Sequence, residues 1–267
     1  MKQQISIKRL SIAFIFIYIG LLIFAYYFSD IVIFPAPEAQ YKDSDYDIIK
    51  LKTVDGETLS AVYLTNPDAT FTILYNHGNG EDIGMFYFRL QEFAAQGFNV
   101  FAYDYRGYGT STGQPTEQGV YQDAQTAYDY LINTLHTPPE KMIAYGFSLG
   151  GGVATELASQ NTVGALILES TFVTIFRVRT HVSIVPFDKF RNIDKIKNVN
   201  CPVLVIHGTD DRILPFWHGQ ALWEQAQIPK LSLWVEKADH GDSSWVAGDD
   251  FWKSIKKLVS HITLKNN

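Results

Sequence analysis

The sequence predicts an α/β fold with a mostly parallel central sheet covered by helices on both faces. Three observations carry this. From Phe71 onward, apolar runs of strand length alternate with longer helical stretches. Several of those runs are apolar throughout, as strands buried on both faces are. Each run is followed by a cluster of polar groups, at the end of the strand where such sheets bind their ligands. The bulk numbers agree with one large domain: 267 residues, 46% hydrophobic and 19% charged, describe a globular rather than a disordered chain. The net charge of −6 gives no footing for a nucleic acid partner.

The first element stands apart from that sheet. Leu10 to Phe28 carries no charge, and as a helix it spans roughly 28 Å, close to the thickness of a bilayer core. Lys2, Lys8 and Arg9 precede the run, Asp30 and Glu38 follow it, and Lys42 is the first basic residue beyond. The positive-inside rule then expects a single-pass anchor with a cytoplasmic N-terminus and the remaining chain on the non-cytoplasmic side. Tyr26 and Tyr27 fall at the interface. A cleaved signal peptide is the competing reading. Its apolar core is shorter and ends in small residues, whereas this run ends Ala-Tyr-Tyr-Phe-Ser-Asp. The expected boundaries are a tip and anchor over 1–30, a linker over 31–46 and a globular domain over 47–267.

Within that domain, Asp55-Gly56 between alternating runs predicts a hairpin. Strands are then expected in "FTILYNHG", "FNVFAYDY", "KMIAYGF", "GALILES", "PVLVIHG" and "KLSLWVE". Helices are expected over Glu117–Leu135, Gly151–Ser159, Trp217–Gln227 and Asp249–Thr263. The stretch Val173 to Asn200 reads as a short cap over a fairly open site. The aromatic stretches "MFYFRL" and "TFVTIF" can line an apolar pocket or pack helices on the sheet; the sequence leaves both open.

The polar clusters differ in kind and order. Ser148 lies within Gly-x-Ser-x-Gly, after a strand and before a helix. A sharp turn there needs small flanking residues and leaves the hydroxyl above the sheet, next to a helix N-terminus that favours developing negative charge. A serine needs a base. Downstream lie Asp210 and Asp211 in "HGTDD", and then His240 in "ADHG". His240 alone of the seven histidines follows that acid in a short loop after the last strand. His218 opens a helix near the acid and is its rival. His136 and His181 sit at a helix end or in a loop between strands, and His261 lies on the last helix among lysines.

On "NHGNGED", "DYRGYGTSTG", "GFSLGGG" and "HGTDDRILPFWHGQALWE", the chain from Asp47 onward resembles the α/β-hydrolase superfamily. Within it, the chain is similar to the small membrane-anchored serine hydrolases that include the depalmitoylating α/β-hydrolase-domain enzymes. The resemblance implies the α/β-hydrolase fold and a Ser148, Asp211, His240 triad. Asp211 rather than Asp210 falls at the acid position of the family's His-Gly-x-x-Asp pattern. It also implies an oxyanion hole from the backbone N–H groups of Leu149 and Asn79, while His77 and Gly78 shape the turn. Asp104 and Arg106 are expected in a structural ion pair or turn, with a substrate carboxylate on Arg106 as the lesser reading.

The implied function is a membrane-anchored serine hydrolase cleaving carboxylic ester or thioester bonds, with a small-molecule or lipid-like acyl substrate. A serine peptidase or aminopeptidase of the same fold shares this triad. A binding protein without turnover is the alternative of another class, and the intact triad set argues against it. No cofactor is expected. Paired-Cys and His-Glu-x-x-His patterns are absent, so no metal is expected. The Gly-rich stretch lacks the lysine of a phosphate-binding loop. The single cysteine, Cys201, excludes an internal disulfide framework and reads as a packed residue.

Overall fold

The computed structural model of the protein describes residues 7–178 and 181–265. Lys2, one of the basic residues before the apolar run, lies outside them, as do two positions of the expected cap. The alternation of the sequence resolves into an eight-stranded sheet. Strands β1 (Ile49–Lys52) and β2 (Thr58–Leu64) form the antiparallel hairpin turned at Asp55-Gly56, with Gly56 at φ +93°. β2 runs antiparallel to β4 (Asn99–Tyr103). β3 (Thr72–Asn76), β5 (Met142–Phe147), β6 (Ala165–Glu169), β7 (Val203–Gly208) and β8 (Lys230–Val235) complete a parallel array with β4.

The strand order is β1-β2-β4-β3-β5-β6-β7-β8. After β3 the chain first moves one way to β4, then returns past β3 to β5. The direction of winding therefore reverses at β3, and the loops leaving β3 and β5 diverge into a crevice, the place where open α/β sheets hold ligands.

Side chains along the parallel strands alternate between two cores. Met142 and Ala144 join Val120, Val153 and Leu222, from α4 (Glu117–Asn133), α5 (Leu149–Gln160) and α7 (Trp217–Gln225). Ile143 and Tyr145 join Phe93, Ile255 and Leu258, from α3 (Ile83–Ala95) and α9 (Asp249–Lys265). Both faces are covered, which explains the uninterrupted apolar runs. Helix α3 contains the aromatic stretch from Met85. Ile83, Phe86, Leu90 and Phe93 form its buried stripe, and Asp82 caps it by accepting the Met85 N–H at 3.1 Å.

The N-terminal run forms α1 (Ile7–Tyr27), long and apolar enough to cross a membrane and largely exposed. After the short α2 (Ser29–Ile33) the chain does not swing free. Phe34 and Tyr41 are buried, Phe34 against Phe190, and the Gln40 N–H donates to Asp82 at 2.6 Å. Two further short helices are α6 (Asn192–Lys195) and α8 (Ser243–Ala247), the latter just beyond His240.

Candidate active site

Ser148 lies between β5 and α5 at φ +52°, ψ −116°, a region that residues with a side chain rarely occupy. Such strain costs on the order of 1–3 kcal/mol and persists only where the surroundings impose it. Here they do. The Ser148 N–H donates to the Glu169 carbonyl at 2.9 Å, and the Thr171 hydroxyl donates to the Ser148 carbonyl at 2.7 Å. The turn is packed so closely that a Cβ at Gly150 would collide with the Asn76 and His77 carbonyls, and one at Gly146 with the Gly150 backbone. Leu149 opens α5, so its N–H belongs to the first turn, which has no partner within the helix.

The loops after β7 and β8 bring two more residues to this serine. His240 Nε2 is 2.9 Å from Ser148 Oγ, and His240 Nδ1 is 2.9 Å from Asp211 Oδ2. The other Asp211 oxygen accepts the N–H groups of Ile213 at 2.9 Å and Leu214 at 2.7 Å. Burial alone pushes the Asp211 carboxyl up. Hydrogen bonds from His207 and His240, the charge of His240 and the Leu214 N–H outweigh burial and hold it well below the usual carboxylate range. An ionised carboxylate only accepts, so Nδ1 carries the imidazole proton and the Nε2 lone pair faces the hydroxyl. The two loops are also tied by neighbours. Arg212 pairs with Asp239, which accepts the His240 N–H at 2.8 Å.

The other candidates lie elsewhere. Asp210 is exposed and accepts the Thr209 hydroxyl at 3.2 Å. His218 is buried, its Nδ1 accepts the Val173 N–H at 3.2 Å, and burial lowers it to about 4. His77 is buried, stacks on Tyr105 with ring centroids 4.0 Å apart, and is lowered by burial to about 3. Arg106 grips Asp123 and Asp55, each at 2.7 Å. Asp104 instead accepts the Tyr41 hydroxyl at 2.6 Å and the Ile83 N–H at 2.9 Å. Both residues therefore brace the frame. Cys201 is buried. Among the described residues no cluster of His, Cys, Asp and Glu could hold a metal.

Ser148, His240 and Asn79 line one open groove of about 630 Å³ with Phe147, Ile213, Glu81, Arg212, Asp239 and Asp242. The Asn79 side chain accepts the Tyr108 hydroxyl at 3.3 Å, and the next residue, Gly80, turns at φ +77°. A smaller cavity of about 110 Å³ shares Glu81, Phe147 and Gly241 with the groove and continues it past Tyr75, Met85, Phe86 and Phe88. A cavity of about 420 Å³ at the opposite ends of the strands, by Glu140 and Pro202, is remote from Ser148.

Two features of the site escape sequence reasoning. His207 sits beside Asp211, with Nε2 3.4 Å from its carboxylate and 2.8 Å from the Leu214 carbonyl. Glu81 accepts the Gly78 N–H at 2.9 Å, bracing the loop that carries Asn79, and burial raises its carboxyl above the ordinary value. The only sequence signal for either was its place in a stretch quoted for another residue, His207 near the end of β7 and Glu81 in the loop after β3.

Comparison with known proteins gives a consistent set. A family model described as the alpha/beta hydrolase fold matches residues 72–184. The human alpha/beta hydrolase domain-containing protein 17B is 38% identical over 234 residues, covering 83% of this chain and 78% of that protein. Protein 17C of Xenopus tropicalis is 35% identical over 235 residues, covering 83% and 73%. In structure the chain is similar to the Pyrococcus furiosus esterase Pf2001, with a TM-score of 0.68 at 20% identity, covering 85% of this chain and 98% of that one. It is also similar to mouse alpha/beta hydrolase domain-containing protein 10, with a TM-score of 0.63 at 18% identity, covering 80% of this chain and 98% of that one.

Proposed function

Since this chain belongs to the α/β-hydrolase superfamily, beside the proteins named alpha/beta hydrolase domain-containing protein 17, we propose that it is a membrane-anchored serine hydrolase cleaving carboxylic ester or thioester bonds. The observation that carries this reading is the continuous relay from Ser148 Oγ through His240 to Asp211, with both contacts at 2.9 Å. His240 Nε2 takes the hydroxyl proton as Ser148 Oγ attacks the acyl carbonyl, and Asp211 orients and stabilises the imidazolium. The N–H groups of Leu149 and Asn79 hold the oxyanion. His240 then protonates the leaving alcohol or thiol. The acyl-Ser148 ester is released by water through the same steps in reverse order.

The substrate side of the proposal rests on the groove. Its rim is charged, and it adjoins the cavity where Tyr75, Met85, Phe86 and Phe88 lie beside Glu81 and the Arg89–Glu169 pair, so these four side chains offer an acyl chain apolar contact there. Each methylene buried there contributes about 0.8 kcal/mol. Four of them used in the transition state raise kcat/KM by about two orders of magnitude from acetyl to octanoyl esters. The test is p-nitrophenyl ester hydrolysis. Ser148→Ala lowers kcat on the butyrate by at least about 10³-fold, and the wild type climbs through the acyl series. Wild-type rates in the Ser148 variant would remove the assignment, and a flat or falling series would remove the acyl pocket. The flanking charges of α1 support a domain on the non-cytoplasmic face, a side that a reporter fused at Asn267 reads out.

A further inference from the structure

The segment between β6 and β7 lies along α1, and its contacts come in order and in the same direction. Lys189 Nζ pairs with Asp30 at 2.5 Å. Phe187 meets Tyr26 edge-on, with ring centroids 5.7 Å apart. The Tyr18 hydroxyl donates to the Ile184 carbonyl at 3.1 Å. Tyr18 and Tyr26 are just over two helical turns apart, about 12 Å along α1, and the extended chain from Phe187 back to Ile184 follows the helix over most of that length, roughly 10 Å at full reach. With Tyr26, Tyr27 and the Asp30–Lys189 pair at the interface, that offset reaches deep into one leaflet, whose hydrocarbon half is about 15 Å thick.

The chemistry of the segment suits that depth. Val182 to Phe187 reads Val-Ser-Ile-Val-Pro-Phe, without a charge. Val182 is 70% exposed and Ile184 53% exposed, on the same side of the molecule as the apolar helix. A backbone carbonyl in hydrocarbon must find a donor within the protein. The Ile184 carbonyl has one in Tyr18, and this also gives the hydroxyl of a tyrosine in the middle of an apolar helix its acceptor. Behind the segment, Asp188 accepts the Phe176 N–H at 2.9 Å, and His181 stacks on Trp217 at the start of α7. The stretch is therefore joined to the protein on both sides.

We infer that Val182–Phe187 enters the hydrocarbon of the leaflet facing the domain, beside α1, so that the protein works with its cap immersed among lipid acyl chains. This rests on the reading of α1 as an anchor and not on the hydrolytic reaction. The surface is committed to one partner, the acyl chains of a bilayer. It deepens the proposed function by making acyl groups carried in that leaflet the substrate class within reach.

The test uses the full chain in phosphatidylcholine vesicles. Cys201→Ala removes the native thiol, and an environment-sensitive NBD fluorophore is attached at Ile184→Cys. Ser183→Cys repeats the measurement should the first variant fold poorly. Ile15→Cys on α1 is the lipid reference, and Val54→Cys, 88% exposed in the β1–β2 turn, is the water reference. Nitroxides on the lipid acyl chains are expected to quench most of the emission at 184 or 183, as at 15, and to leave 54 bright. Quenching at 15 with 184 and 183 as bright as 54 would overturn the immersed cap while leaving the anchor standing. Bright signal at all sites would overturn both. Hydrolysis of a soluble butyrate ester by the labelled proteins reports separately on the reaction.

Discussion

Ser148 keeps a backbone conformation that serine resists, and the residues around it exist to impose that conformation. Glycine at 146 and 150 lets the chain approach itself, and hydrogen bonds from Thr171 and to Glu169 hold the peptide units on either side. The same economy applies to Asp211. Each carboxylate oxygen has its donors, so the group remains ionised through the physiological range and fixes the His240 tautomer. Asp211→Asn is expected to lower kcat by about 10³-fold or more, because an amide cannot play both parts. Asp210→Asn, at an exposed position bonded to Thr209, is expected to leave kcat near wild type. Parallel kinetics on the two variants decide it, and a larger loss at Asp210 would reverse the roles. Ser148 and His240 were legible as a strand–turn–helix motif and a chain order. The choice between adjacent aspartates needed the family pattern. Glu81 and His207 were not legible, because each acts on a loop whose folded course no local pattern specifies. Glu81 bonds the Gly78 N–H, and His207 from β7 meets Asp211 and the Leu214 carbonyl.

Among the elements, α3 shows what periodicity alone misses. Its aromatic cluster reads equally as pocket or packing, yet one helix supplies both: Phe86 and Phe93 face the core, while Met85 and Phe88 reach the surface beside the groove. Arg89 joins this helix to four other elements that support the site. Its guanidinium lies over Phe251, bonds Glu169 at 2.9 Å and Tyr145 at 3.3 Å, and reaches Ser244 on α8. Glu169 is nearly inaccessible, so removing its partner strands a buried charge, which costs about 3–5 kcal/mol. Arg89→Leu is expected to lower the unfolding free energy by that amount in urea titrations, and Arg89→Leu with Glu169→Leu to recover most of it. A loss as large in the double variant as in the single one would mean the pair is not what holds these elements together. The strand alternation itself was readable from buried apolar runs. The insertion of β4 between β2 and β3 was not, since neighbours in a sheet are chosen by packing rather than by order along the chain.

For the whole molecule, buried ionisable groups make stability depend on pH in opposing ways. His77 and His218 are inaccessible and neutral, lowered by burial to about 3 and about 4. The unfolded chain protonates its histidines below about pH 6.5 while the native state resists, so this stability is complete above that pH and falls as the pH drops toward 4, by about 1.4 kcal/mol per unit for each residue. Asp104 runs the other way. Burial raises it to about 8 despite its bonds from Tyr41 and Ile83, so its contribution declines as the pH rises from 4 to 8. The intact protein is therefore expected to have a flattened profile. His218→Gln is expected to be more favourable relative to wild type at pH 5 than at pH 7.5 in denaturant titrations; an unchanged difference would mean His218 is not held neutral. The apolar helix α1, the segment between β6 and β7 and the crevice at Ser148 all bear on the proposed transfer of an acyl group to Ser148. The most direct measurement is rapid quenching of the full-length protein with p-nitrophenyl octanoate, followed by mass analysis of its peptides. A transient octanoyl adduct on the peptide carrying Ser148, formed with a burst of p-nitrophenol and absent from Ser148→Ala, is the result expected; steady product release with no adduct, or an adduct on another residue, would contradict it.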